Sequence, residues 1–365
     1  MIHTIALDLA RGHDPIPRRG KAWFLVSWNE QVLGEFTVDD VDLNDANAVD
    51  SLAVRHFAAQ IHARTVAGLG YESPEETTQD ITLVVRVEDR PGLLTGCLAA
   101  IRALDPQPLE VILMGDEPPE RRGDSDRLRF VPSSGDPAAD LEEGWRSANG
   151  SIVAYLDERS RPDPRFVASV ARTLAEPSFA AVTCLVAPAE FASHPQFTFD
   201  QAGPLPKRDF QIRLWSSADQ GFDPTAVHPR VNGAIAYSRS LLAEAGGFPS
   251  RSHPTARRLA EYSMLQSLID RGHVIVHDPD IVMWHVHPRT RPEVLQWVRD
   301  ESRDRNDWLS DRSVKGVNLS LLRDQTCALL RGLRHGRFFD IRVSVAGAMS
   351  SATGLWRRSR TRARP

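Results

Sequence analysis

Apolar residues cluster in two β-rich runs near the start of the chain, Ala22 to Trp28 and Val32 to Val38, and the intervening Asn29-Glu30-Gln31 predicts a hairpin. From Asp45 to Leu69 the spacing changes. Ala48, Leu52, Val54, Phe57, Ile61 and Val66 recur near the helical period, and Gly68 with Gly70 supplies a stop, so a helix follows the hairpin. The polar stretch YESPEETTQD then reads as a linker, which closes a small accessory domain over residues 1–78.

The pattern turns continuous at Ile81–Val85, ITLVV, a run of the kind buried on both faces of a parallel sheet. A helix from Pro91 through GLLTGCLAAIRAL, a strand Leu109–Met114, a short strand ending at Val131, a helix across Asp140–Ser147 and a strand Ser151–Asp157 come next. Strands alternating with helices imply an α/β domain wound by right-handed crossovers, with ligands gathered at the carboxyl ends of its strands. Asp157 stands at such an end. The stretch Pro188–Pro229 is rich in Pro, His and aromatics and reads as an irregular excursion. Beyond it NGAIAYS, the helices SRSLLAEAGGF and ARRLAEYSMLQSLIDRG, the strand pair HVIVHDPDIVMWHVHP and a helical stretch after Pro292 restore regular structure.

At 365 residues the chain fits about two domains at roughly 100–200 residues each, and 41% hydrophobic with 25% charged residues is an ordinary globular balance. Cys97, Cys184 and Cys327 are odd in number and far apart, which argues against a disulfide framework or a structural zinc site and favours a reducing, cytoplasmic setting. The start shows no basic segment followed by an apolar run, and no stretch reaches the ~18 apolar residues that span a bilayer. The net charge of −4 hides five arginines in the terminal RRSRTRARP, a tail suited to anionic lipid or nucleic acid, or simply solvated. Neither G-x-x-x-x-G-K-[ST] nor G-x-G-x-x-G follows a strand, and no G-x-S-x-G elbow is present.

ITLVVRVEDRPGLLTGCLAAI, LEVILMGDEPP, RSANGSIVAYLDERSRPDPRFV, NGAIAYSRSLLAEAGGF and AEYSMLQSLIDRGHVIVHDPDIVMWHVHP occur in an order that resembles the family 2 glycosyltransferases over roughly residues 80 to 300. The resemblance implies a GT-A, nucleotide-diphospho-sugar transferase fold with a mostly parallel central sheet at 79–300, preceded by the small N-terminal hairpin-helix domain and followed by C-terminal helices with a basic tail at 301–365. It implies inverting transfer of a sugar from a nucleotide-diphosphate donor to an acceptor hydroxyl, with a divalent metal, Mn or Mg, as cofactor. Carried over by position, Asp157 is the first acid of the metal motif. The second acid is replaced by Arg159, so either Glu158 substitutes as ligand or the guanidinium itself pairs with the diphosphate. His285 and His287 match the metal-ligand region. Glu261 matches the first acid of the catalytic-base pair, while Tyr262 stands where the usual base would be, with an ordinary pKa of about 10. Glu88, Asp89 and Asp116 fall in the loops that hold the nucleotide base, and Trp215 and Asn232 in the acceptor-side region.

Expected partners are therefore the nucleotide-sugar and a glycan, lipid-linked or small-molecule acceptor, with peripheral contact to an anionic membrane through the arginines and no nucleic acid. The two departures from the catalytic pattern support a competing expectation, a GT-A-like fold without catalysis that binds carbohydrate or acts as a scaffold.

Overall fold

The computed structural model describes residues 2–11, 19–42, 45–68, 80–88, 90–116, 127–202, 208–219, 222–229, 233–248 and 257–311. Asp89, Asn232, most of the expected linker, the helices expected beyond residue 311 and the basic tail lie outside the described residues.

The N-terminal part is a three-stranded sheet, β1 (Ile2–Asp8), β2 (Arg19–Trp28) and β3 (Gln31–Asp42), in that order. The expected hairpin is β2–β3. Its turn is shorter than the sequence suggests: Trp28 pairs with Gln31, and the two residues between, Asn29 and Glu30, both take positive φ, 48° and 69°. That geometry matches the right-handed twist of the flanking strands. The parallel strand β1 is an addition to the expected elements. The single helix expected over 45–69 is two, α1 (Ala46–His56) and α2 (Ala58–Gly68), because Phe57 leaves helical geometry to bury its ring against Phe36.

The second sheet has nine strands and carries the expected α/β architecture. Its elements are β4 (Ile81–Arg86), α3 (Pro91–Arg102), β5 (Glu110–Gly115), β6 (Leu128–Pro132), α4 (Pro137–Ser147), β7 (Ile152–Asp157), β8 (Ser160–Pro162) and α5 (Phe166–Thr173). They continue with β9 (Phe179–Pro188), α6 (His194–Ala202), β10 (Arg213–Trp215), α7 (Pro224–Val227), β11 (Ile235–Ser238), α8 (Arg239–Glu244), α9 (Arg257–Asp270), β12 (Val274–His285) and α10 (Arg291–Asp311). The strand order is β10-β12-β9-β11-β7-β4-β5-β6, with β8 paired to β12. Strands β6, β5, β4 and β7 are mutually parallel, β9 and β12 are parallel to each other, and β11 runs antiparallel between β7 and β9.

Three expectations change here. The irregular stretch Pro188–Pro229 holds α6, β10 and α7 among its described residues. The strand pair expected over 273–288 is one strand, β12, which stays paired to β9 through a register shift between Asp278 and Val282. The helix expected from Asp140 starts at Pro137, where Asp136 caps it by accepting the Ala138 amide at 2.9 Å.

Both faces of this sheet are buried, one under α3 and α5 and the other under α4, α8 and α9. Double burial explains why the strands read as unbroken apolar runs. The N-terminal sheet docks on the same body through a shared cluster of Trp23, Leu25, Val32, Leu185, Phe191 and Val282. Val32 N donates to Asp280 at 2.7 Å across that junction.

Candidate active site

The carboxyl ends of β4, β5 and β7 are aligned: Arg86 pairs with Asp157 on one side and with Met114 on the other. Their loops therefore open at one place. Asp157 closes β7, is buried, and accepts at Oδ1 from the Arg159 amide at 3.0 Å and the Ser160 hydroxyl at 2.9 Å. Burial, reinforced by the negative charge of Glu88, pushes its pKa up to about 6 against those bonds and the pull of Arg257 and Arg159. The charges of Glu88, Arg159 and Arg257 thus act on one carboxyl, although the three come from the β4–α3 loop, the β7–β8 turn and the start of α9.

Glu158 is buried and turned to the β4–α3 loop. Its Oε2 accepts the amides of Glu88 and Arg90 at 3.1 and 3.3 Å, and Arg90 Nε lies 3.6 Å from Oε1. This carboxylate braces the loop expected to meet the nucleotide. Glu88 itself is half-buried and sits 3.8 Å from both Arg86 and Arg90. Asp116 is exposed directly after β5.

Arg159 donates to the Val286 carbonyl at 3.1 Å, and the Val286 amide returns a bond to the Arg159 carbonyl at 3.0 Å. The end of β12 is thereby fastened beside Asp157. Burial, with the positive charge of Arg90 next, lowers the Arg159 pKa from its high ordinary value, so two guanidiniums lie near one another at this mouth. Both have carboxylates beside them, Arg90 those of Glu158 and Glu88 and Arg159 that of Glu293 at 3.9 Å.

His285 and His287 are buried, and their Nδ1 atoms lie 3.0 Å apart. His287 Nε2 is 3.1 Å from Asp200, whose carboxyl is kept below its ordinary range by Arg208 and His287 despite burial pushing upwards. An ionised Asp200 only accepts, so His287 Nε2 carries the proton. Burial holds both rings neutral. His287 Nδ1 is then the acceptor, His285 Nδ1 the donor, and His285 Nε2 keeps its lone pair.

Both nitrogens of His287 and the Oε2 of Glu158 are already bound within the protein. Asp157, His285 and the Oε1 of Glu158, which is buried with no hydrogen-bond partner among the described residues, remain as donors, and Arg159 places positive charge where a second acid would stand. Among the described residues no group of three or more His, Cys, Asp and Glu is arranged to hold a metal.

Glu261 lies in the first turns of α9, almost fully buried, with Oε2 2.8 Å from His228 Nε2 and Oε1 3.2 Å from Arg257 Nε. Burial pushes its pKa up, yet Arg257 and the His228 bond outweigh it and hold the carboxyl below its ordinary value. His228 stays neutral through burial and donates. Tyr262 faces elsewhere, its ring edge-on to His228 at 5.1 Å and to Trp308 at 5.8 Å. Trp215 is half-buried on the edge strand β10 and lines a separate cavity.

Asp157, Glu158, Arg159 and Glu88 are thus brought together, Glu261 is bonded to Arg257 and His228, and Asp116 and Trp215 stand apart. His228, Arg257, Asp200 and Arg208 join the site without having been singled out in the sequence. Arg257 alone carried a local signal, since it precedes Glu261 by one helical turn.

No protein-family model and no curated protein sequence matches this chain. Its fold is similar to the mannosyltransferase PcManGT from Pyrobaculum calidifontis, solved with GDP-Man and Mn2+, at 18% identity and a TM-score of 0.45 over 84% of this chain and 97% of that one. It is also similar to S. aureus TarS residues 1–349, solved with UDP, at 13% identity and a TM-score of 0.41 over 74% of this chain and 90% of that one.

Proposed function

We propose that this protein is a GT-A glycosyltransferase that moves a sugar from a nucleotide-diphosphate donor to an acceptor hydroxyl with inversion at the anomeric carbon. The observation that carries the reading is the cluster at the carboxyl ends of β4 and β7, where Asp157 accepts the Arg159 amide and Glu158 accepts the Glu88 and Arg90 amides, with Glu261 held separately by Arg257 and His228. Ligands of open α/β sheets collect at such ends.

The nucleoside is placed over the β4–α3 loop that Glu158 braces, with Glu88 and Asp116 available to accept base or ribose donors. Arg159 and Arg90 face the diphosphate. As the acceptor oxygen bonds to the anomeric carbon, the bond from that carbon to the phosphate oxygen breaks and its electron pair leaves with the diphosphate, where the guanidiniums meet the growing charge. Glu261 takes the hydroxyl proton. Its lowered pKa keeps it ionised at neutral pH, and the His228 Nε2–H and Arg257 fix its direction.

Titration calorimetry with UDP, GDP and dTDP, in EDTA and then with Mn or Mg, tests the reading. One nucleotide is expected to bind in EDTA, and Arg159→Ala to weaken it about 10-fold to 100-fold, the cost of a charged hydrogen-bonding partner. No binding of any nucleotide under either condition rejects the reading. Binding that needs the cation, undiminished in Arg159→Ala, rejects the arginine clamp alone.

A further inference from the structure

A cavity of about 510 Å3 lies where the N-terminal sheet meets the edge of the larger one, walled by Glu35 of β3, Asp200 of α6, Arg208, Asp209, Trp215 of β10 and His277 of β12. This volume falls within the roughly 300–1,000 Å3 of small-molecule sites. Its walls touch both halves of the active site. Asp200 is bonded to His287, and the wall residues Val227 and Pro229 flank His228, the partner of Glu261.

The polar groups here select against most ligand classes. Arg208 spends three of its five N–H donors within the protein, on the Val186 carbonyl at 3.0 Å, on Glu35 at 2.7 Å and on Asp200, and the two carboxylates offset its charge towards a phosphate. Three carboxylates in the walls repel anions further. They also interrupt the apolar surface that a lipid chain would need. A neutral ligand with many hydroxyls suits them, because a carboxylate has about four lone-pair sites. Asp209 uses two, on the Gln211 amide at 3.0 Å and Arg213 at 2.7 Å. The flat indole of Trp215 supplies an apolar face for the C–H side of a sugar ring.

We propose that this cavity is the acceptor subsite, that it takes the neutral end of a saccharide, and that the N-terminal sheet completes it through Glu35. The assignment rests on the transferase reading above. It makes the accessory sheet part of acceptor selection rather than a separate attachment.

The test is saturation-transfer NMR on the full chain with cellobiose, maltose, mannobiose, chitobiose and lactose, beside calorimetry with UDP and GDP on the same samples. At least one disaccharide is expected to receive saturation. Trp215→Ala should weaken it by up to about tenfold, the worth of one aromatic contact, and Asp209→Asn several-fold, with nucleotide affinity unchanged. If Trp215→Ala loses its melting transition, Asp209→Asn decides. No transfer to any of the five sugars, or transfer indifferent to both substitutions, overturns the subsite. Nucleotide binding with no sugar binding leaves the transferase reading standing and removes the cavity. Sugar binding lost in the variants of a chain that binds no nucleotide keeps the cavity and removes the transferase reading.

Discussion

In the proposed reaction Glu261 is the side chain that takes the proton, and it is held on both oxygens. Both oxygens are bound, one by a neutral imidazole and one by a guanidinium, and the pKa falls despite full burial. Such a carboxylate is always ionised near neutrality and well aimed, at the expense of intrinsic basicity. Glu261→Gln keeps the shape and the acceptor oxygen for His228 but cannot take a proton. Turnover measured by release of the nucleoside diphosphate is expected to fall about 10²-fold to 10⁴-fold with nucleotide affinity preserved, the usual contribution of a general base; unchanged turnover removes Glu261 from the role. The sequence made Asp157, Arg159 and Glu261 visible because each sits at a strand end or helix start that periodicity locates. It did not show that Glu158 faces the loop amides, since neighbouring residues at a strand end point to opposite sides and the choice depends on where the β4–α3 loop closes. His228 was invisible for a related reason: its partner lies 33 residues away across an irregular segment.

Strands β4, β5 and β7 hold the site in register, and a network at their opposite end keeps them aligned. Glu110, buried at the start of β5, accepts from Thr82 at 2.9 Å, from Arg129 at 2.8 Å and from the Asn149 amide at 2.7 Å, so three strand entries share one carboxylate. Gly150 lies inside that knot. A Cβ there would stand 2.7 Å from both the Asp80 carbonyl and the Thr82 nitrogen, backbone atoms that cannot swing aside. Gly150→Ala is expected to destabilise the fold by about 1–3 kcal/mol, as overpacking does, and chemical denaturation measures it; a neutral result means that β4 and β7 can slide apart at this end. Alternation of strands and helices around β4–β7 was legible because each buried strand is a continuous apolar run. β9 was not, although FAAVTCLVAP is as apolar and follows a Pro177-Ser178 turn; its partners are β11 and β12, far along the chain. The break at Phe57 was likewise hidden, since helical spacing continues through it and only the docking of the ring on Phe36 interrupts the axis.

The accessory sheet and the larger body are joined by an apolar cluster and by buried charge together. Trp23 stands edge-on to Phe191 and Trp284 at 6.2 and 6.5 Å and beneath the Arg208 guanidinium at 5.2 Å. The same Arg208 links Glu35 of the accessory sheet to Asp200 and so to the histidine pair at the end of β12. Folding therefore commits several ionisable groups to fixed protonation states, and stability must follow pH. His228 isolates one part of that dependence. Above the ordinary imidazole value of about 6.5 it is neutral folded and unfolded, and its share of stability is fully present. Below that value the unfolded chain binds a proton that burial, foremost, denies to the folded chain, so stability is lost as pH falls towards the depressed folded value. His228→Gln retains an amide donor for Glu261 and removes the titration. The stability advantage of the unsubstituted protein over the variant, from urea midpoints, is expected to be greatest at pH 7–8 and to shrink by at most about 1.4 kcal/mol per pH unit below 6.5. An advantage that stays constant, or grows, across pH 7 to 5 means that His228 takes up its proton in the folded protein as readily as in the unfolded one, and that Glu261 is not held by a neutral ring.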